Sequence, residues 1–343
     1  MQYRKLGPSG TIVSSLCLGT MTFGAESDEA TSFAMMDAYA AAGGNFLDTA
    51  DVYSRGISEE ITGRWLAARP TEAAQMVIAT KGRFPMGEGP NDLGLSRFHL
   101  TRALDASLKR LGVEQIDLYQ MHAFDALTPL EETLRFLDDA VRAGKIAYWG
   151  VSNWLAWHIA KSVQIAHFRG YTAPVTLQPQ YNLLVRDIEH EIVPTCLDAG
   201  MGLLPWSPLG GGWLSGKYKP DQMPTGATRL GENPNRGMES YGPRAREQRT
   251  WDVIGALDTI ARARGVTMAE VALSWVRDRP AVTSVILGAR TVEQLQTNLR
   301  SAALTLTPEE TATLNDISAP QMPDYPYGPQ GIAQRHRKIE GGR

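Results

Sequence analysis

Short apolar runs recur along this chain, each followed by a polar stretch leading into a segment whose apolar residues lie three and four apart. The runs are LCLGT (16 to 20), NFLDTA (45 to 50), MVIATK (76 to 81), IDLYQMH (116 to 122), IAYWGVS (146 to 152), VTLQPQ (175 to 180), GLLPWS (202 to 207) and TSVILGA (283 to 289). Continuous apolar runs of this length, bounded by turn residues, read as strands buried on both faces, as in parallel sheets. Between them lie helical patterns such as residues 29 to 44, where Phe33, Met36 and Ala40 share one face. Residues 96 to 112, 129 to 144 and 291 to 302 are similar, and several of these segments end in Gly, a common helix stop.

Eight alternations of this kind predict an α/β fold, the (β/α)8 TIM barrel, whose usual length range covers 343 residues. A doubly wound sheet is the rival, but the chain after LCLGT reads MTFGAE, without the GxGxxG turn of a dinucleotide-binding sheet. Residues 1 to 13 carry two short runs around Gly7-Pro8-Ser9-Gly10, which predicts a β-hairpin closing the barrel floor. A single domain is expected over residues 1 to 320, with a lid-like loop at about 219 to 248 that is rich in Gly, Pro and Arg. Residues 321 to 343 form a C-terminal tail that either reaches the barrel mouth or lacks order, and its closing KIEGGR is dispensable to the fold.

Composition narrows the function. A net charge of −3 and a pI near 6.1 argue against a nucleic-acid partner. Cys17 and Cys196, the two cysteines present, read as reduced thiols. With no signal-peptide pattern and no apolar run long enough to span a membrane, a soluble, cytoplasmic protein is expected. His190 and Cys196 lack metal-ligand spacing, and no metal is expected. The segment GGWLSGKY resembles a phosphate loop until Tyr218, which stands where Ser or Thr must bind magnesium.

Asp48, Tyr53, Lys81 and His122 lie at or just beyond the carboxyl ends of three successive predicted strands, where a parallel barrel gathers its catalytic side chains. Taken singly, Asp48 reads as a helix cap, Lys81 as a strand-end lysine and His122 equally as a core or a catalytic histidine. Together they form a proton-donating set. Tyrosine holds its proton too tightly at neutral pH to be an ideal acid. A nearby Lys81 ammonium would lower that pKa, and Asp48 would keep the ammonium charged. His122 could donate a hydrogen bond to the carbonyl oxygen that Tyr53 protonates. Phe23, Phe84, Phe124 and Trp154 follow strands and serve either as pocket walls or as core. His99, His158 and His167 fall in helical patterns and are expected at the surface.

The chain resembles the aldo-keto reductase family through GGNFLDTADVY (43 to 53), ATKG, DLYQMH, GVSNW (150 to 154), LQPQYNLL (177 to 184), PWSPLGGGWLSGKY (205 to 218) and LGARTVEQLQTN (287 to 298). The resemblance covers nearly the whole chain. It implies NADPH-dependent, reversible reduction of aldehydes or ketones, with Asp48, Tyr53, Lys81 and His122 as the catalytic set and NADP(H) as the cofactor. Ser152, Asn153 and Gln178 would hold the carboxamide, and Trp206 would lie against the nicotinamide ring. Ser207, Pro208, Leu209 and Lys217 would wrap the pyrophosphate. Arg229, Gly288, Arg290, Gln294 and Asn298 would meet the adenosine end, with Arg290 suited to a 2′-phosphate. Thr297 departs from the Glu that related sequences often carry there.

Two other functions fit the same barrel. One is an NADPH-binding, redox-sensing regulatory subunit with little turnover, as in channel-associated members of the superfamily, which tend to lack a histidine at the position of His122. The other is an aldolase that uses Lys81 as a Schiff-base nucleophile.

Overall fold

A computed structural model describes residues 1–226, 228–235 and 237–335. The N-terminal hairpin pairs β1 (Tyr3–Lys5) with β2 (Ile12–Ser14). The barrel strands follow as β3 (Leu16–Gly19), β4 (Phe46–Asp48), β5 (Val77–Gly82), β6 (Ile116–Met121), β7 (Ile146–Ser152), β8 (Thr176–Gln178), β9 (Gly202–Leu203) and β10 (Val285–Leu287). They form one eight-stranded parallel sheet in the order β10-β3-β4-β5-β6-β7-β8-β9. Its ends meet through a parallel bridge of Leu203 with Val282 and an Ile286 N–H donating to the Pro205 carbonyl at 2.9 Å. The molecule is the (β/α)8 barrel that the apolar runs predict.

Alternation along each strand sorts the side chains into an inner and an outer set. Cys17, Phe46, Ala79, Leu118, Leu204 and Ile286 point inward and pack with Leu6 and Val13 of the hairpin. The hairpin therefore seals the amino end of the barrel with apolar contacts. Its turn presses so close to β8 that a Cβ on Gly7, at φ +56, would lie 2.0 Å from the Val175 carbonyl oxygen. Leu18, Leu47, Ile78, Tyr119, Trp149, Leu177 and Leu287 face outward, into the helices.

The helices start where capping chemistry permits. Asp28 accepts from the Thr31 N–H at 2.8 Å to open Glu29–Ala41, and Ser96 caps Arg97–Leu111, which ends on left-handed Gly112. Thr267 and Glu270 form a reciprocal box at the start of Met268–Arg277.

Some expectations change. His99 and His158 are buried, and only His167 is at the surface. Each buried ring has a polar partner: the His99 Nδ1 pairs with the Asn91 carbonyl at 3.2 Å, and the His158 Nδ1 accepts from the Leu155 N–H at 3.2 Å. Burial pushes both imidazoles below the usual histidine pKa, which keeps them neutral and tolerable inside. Stretch 219 to 248 is also less irregular than its composition suggests, with short helical turns at Arg229–Glu232, Gly237–Glu239 and Tyr241–Ala245. The tail carries a helix at Pro329–Arg335, and the Tyr327 hydroxyl donates to Glu191 at 2.5 Å; the closing KIEGGR lies outside the described residues. Among the described residues, no helix is long and apolar enough to cross a membrane.

Candidate active site

The inner layer directly above the apolar one is polar. Two residues beyond Phe46, Ala79, Leu118 and Leu204 on their strands or strand extensions stand Asp48, Lys81, Gln120 and Trp206. Period-two geometry thus places these groups in one ring at the carboxyl end of the barrel, where sites of this fold form.

Lys81 is completely buried, and its Nζ donates to Asp48 Oδ2 at 2.6 Å, to the Thr49 carbonyl at 2.8 Å and to the Tyr53 hydroxyl at 3.2 Å. All three ammonium hydrogens have acceptors, so the charge is fully coordinated. The other Asp48 oxygen accepts from Gln120 Nε2 at 3.0 Å and Gln178 Nε2 at 2.8 Å. Burial works against the Lys81 charge, but Asp48 and Tyr53 outweigh it and raise the pKa above the usual lysine value. An ammonium held so firmly is a poor Schiff-base nucleophile, which counts against the aldolase.

Tyr53 reaches this layer from a strained turn. Ser54 and Arg55 both take left-handed backbone conformations, at φ 49 and 54. The Ser54 hydroxyl ties the turn to the Phe23 carbonyl at 2.9 Å. Behind it, Ser58 shares hydrogen bonds with Thr20 and Thr49 at 2.8 and 3.0 Å, fixing helix Ile57–Ala68 to the ends of β3 and β4. Tyr53 departs from expectation in its acidity: burial pushes its pKa above the usual tyrosine value, and Lys81 offsets only part of that rise. Desolvation of the phenolate outweighs the single neighbouring cation.

His122 follows β6, with its ring edge-on to Phe84 at 4.6 Å and to Tyr53 at 5.9 Å between centroids. Burial, then Lys81 and Arg83, drive its pKa well below the usual value, so the imidazole is neutral. Its Nδ1 is buried with no protein partner. Phe23 and Trp154 prove to be core, whereas Phe84 and Phe124 are half-buried, Phe124 stacking on His158 at 3.6 Å.

Asp48, Tyr53 and His122 open into a cleft of about 910 Å³. Every residue assigned above to a cofactor lines this same cleft, from Ser152, Asn153, Gln178 and Trp206 through Ser207, Pro208, Leu209 and Lys217 to Arg229, Gly288, Arg290, Gln294 and Asn298. Trp206 is half-buried and is fixed by its indole N–H donating to Asn153 Oδ1 at 2.9 Å. Asn153 donates in turn to the His122 carbonyl at 3.1 Å, coupling the two ends of the polar layer. Gln178 spends its amide N–H on Asp48 and so belongs to the buried carboxylate as well as to the cleft. Asn298 is turned to the Gly288 carbonyl at 3.4 Å, and Gly288 itself is exposed with open space at its Cβ position.

Gln120 was missed by motif reading, although it lies two residues before His122 and so shares its face of β6. Glu239 was missed too. This buried carboxylate accepts from the Ser207 hydroxyl at 2.5 Å and from Gln180 at 3.0 Å, anchoring the 219 to 248 stretch to the cleft; no periodic signal marks it.

A buried acid, amine, phenol and neutral imidazole beside a cleft that Lys217, Arg229 and Arg290 also line define an oxidoreductase-type barrel site. The chain belongs to the aldo/keto reductase family, whose sequence model matches residues 15–319. It is 38% identical over 328 residues to the uncharacterized oxidoreductase YrpG of Bacillus subtilis, covering 92% of this chain and 96% of that one. It is 37% identical to a probable voltage-gated potassium channel subunit beta of Oryza sativa subsp. japonica, covering 90% and 94% of the two chains. Versiconal hemiacetal acetate reductase of Aspergillus parasiticus is 34% identical, with 94% and 98% covered. Members of this family generally use a nicotinamide cofactor, NAD(P)H.

Proposed function

We propose that this protein reduces aldehydes or ketones to alcohols, reversibly, with NADP(H) as cofactor. The observation that carries this reading is the Asp48–Lys81–Tyr53 chain of hydrogen bonds, ending on a phenol in the cleft beside a neutral His122. The cleft fits a dinucleotide. Its volume of about 910 Å³ suits a large ligand. Its lining includes Lys217, Arg229 and Arg290, a donor set for phosphates, and Arg290 favours the 2′-phosphate of NADP(H).

When bound, the dihydronicotinamide supplies the hydride to the carbonyl carbon. Tyr53 holds a proton at its hydroxyl and gives it to the carbonyl oxygen as negative charge develops there. Lys81 remains charged against Asp48 and stabilises the phenolate left behind. The neutral His122 can keep one ring N–H for the same oxygen, which orients the carbonyl. Trp206, held by Asn153, offers a flat apolar wall for the nicotinamide.

The likeness to channel beta subunits keeps a regulatory reading in view, in which the chain binds NADPH and scarcely turns over. A panel of aliphatic and aromatic aldehydes and ketones decides between them. Carbonyl-dependent NADPH oxidation is expected, with no oxidation in the absence of carbonyl. Tight cofactor binding with no oxidation across the panel would favour the regulatory subunit.

A further inference from the structure

Arg290, the cationic group suited to a 2′-phosphate, already holds an anion. Its Nη1 and Nη2 donate to Glu232 Oε1 at 2.8 Å and Oε2 at 3.0 Å, and Glu26 Oε1 lies 3.9 Å from Nη2. This fork-on-fork geometry is the one a guanidinium offers a phosphate, so the carboxylate and a 2′-phosphate would compete for the same hydrogens.

The two partners are anchored differently. Arg290 sits on the barrel: its N–H donates to Gln294 Oε1 at 3.0 Å, and its carbonyl accepts from the Ser27 hydroxyl at 3.1 Å. Its side chain is 21% exposed, whereas that of Glu232 is 46% exposed, at the end of the short turn Arg229–Glu232 in the 219 to 248 stretch. In an exchange, the scaffold would keep the arginine in place while the carboxylate, already half in water, moves out.

We propose that Glu232 is the residue that limits the preference for NADP(H) over NAD(H), by occupying Arg290 until a 2′-phosphate displaces it. This rests on the nicotinamide-dependent reading above and adds to it the group that tunes cofactor choice. A ribose 2′-hydroxyl is uncharged and can bind nearby with the pair intact, so NAD(H) escapes the competition. NADP(H) must break the pair and leave Glu26 close to the incoming phosphate. Partly exposed, doubly bonded pairs of this type are weak, so the expected effect on affinity is modest, about two- to fivefold.

The test is equilibrium binding of NADPH and NADH without substrate, followed by tryptophan quenching or calorimetry, for wild type and Glu232→Gln. The amide keeps the size of the side chain and removes its charge at a half-exposed position. Glu232→Gln is expected to tighten NADPH by about fivefold and leave NADH within about twofold of wild type. Adding Arg290→Met should abolish that gain, because nothing remains to compete for. Wild-type binding of both cofactors with Glu232→Gln changing neither, or changing both alike, would overturn the role of Glu232 while leaving the reductase intact. Failure of wild type to bind either cofactor would sink the nicotinamide-dependent reading, and this inference with it.

Discussion

Tyr53→Phe is expected to lower turnover by about 10²- to 10⁴-fold while cofactor affinity stays close to that of wild type. The substitution removes a single oxygen, the one 3.2 Å from Lys81 Nζ, and leaves the ring edge-on to His122. Lys81 keeps Asp48 and the Thr49 carbonyl as acceptors, so the buried charge stays coordinated and the fold should be largely unaffected. The Tyr53 hydroxyl is bonded to Lys81, whereas Arg290 is bonded to Glu232, so phosphate binding should not change. The elevated Tyr53 pKa means that the proton is present across the neutral range, and the variant has none to give. Rates and dissociation constants measured on the same preparations separate the two effects. Near-normal turnover would remove Tyr53 from the proton-donating role.

Asp51→Asn is expected to make the protein more stable than wild type at pH 8, with the gap shrinking by about 2–3 kcal/mol as pH falls to 5. Asp51 is fully buried, neither carboxylate oxygen has a side-chain partner, and its backbone N–H is fixed on the Lys81 carbonyl at 3.1 Å. Burial, and then the neighbouring Glu59, push its pKa up to about 7. Because the folded pKa lies above the unfolded one, the native state holds more protons between those values. Stability from this group is therefore present at low pH and is lost as pH rises through about 7. An asparagine does not titrate, so the variant lacks that loss. His122 titrates in the opposite sense, with its folded pKa depressed, but it does so equally in both proteins and cancels from the difference. Urea unfolding of both proteins at pH 5 and pH 8 gives the result directly. A gap that is the same at both values would show that Asp51 does not titrate in this window.

The barrel was legible because each of its strands is a short apolar run, and burial on both faces leaves few other uses for such a run. Boundaries were less so: NFLDTA shortens to Phe46–Asp48, although the Thr49 N–H still donates to the Ala79 carbonyl of β5 at 2.8 Å, because the Thr49 carbonyl turns to accept from Lys81 Nζ. Asp48, Lys81 and His122 could be placed from strand ends alone, whereas Gln120 required following alternation backward from His122. The turn Arg229–Glu232 is too short to show a helical period, so the Glu232 partner of Arg290 was invisible before the chain was folded. Tyr53 shows a different limit. Its charged neighbour can be guessed from sequence, but the depth of burial that outweighs that neighbour is a property of the packed structure.

The most direct measurement follows one atom. Purified wild-type enzyme is mixed with NADPH carrying deuterium at the transferable C4 position and with a carbonyl compound that is turned over, and the alcohol is analysed by mass spectrometry. The predicted result is one deuterium on the carbinol carbon for each cofactor oxidised, with the hydroxyl proton coming from solvent-exchangeable positions. An alcohol formed without the label would contradict direct reduction at this site, and so would labelled cofactor that stays bound and unoxidised beside every carbonyl offered.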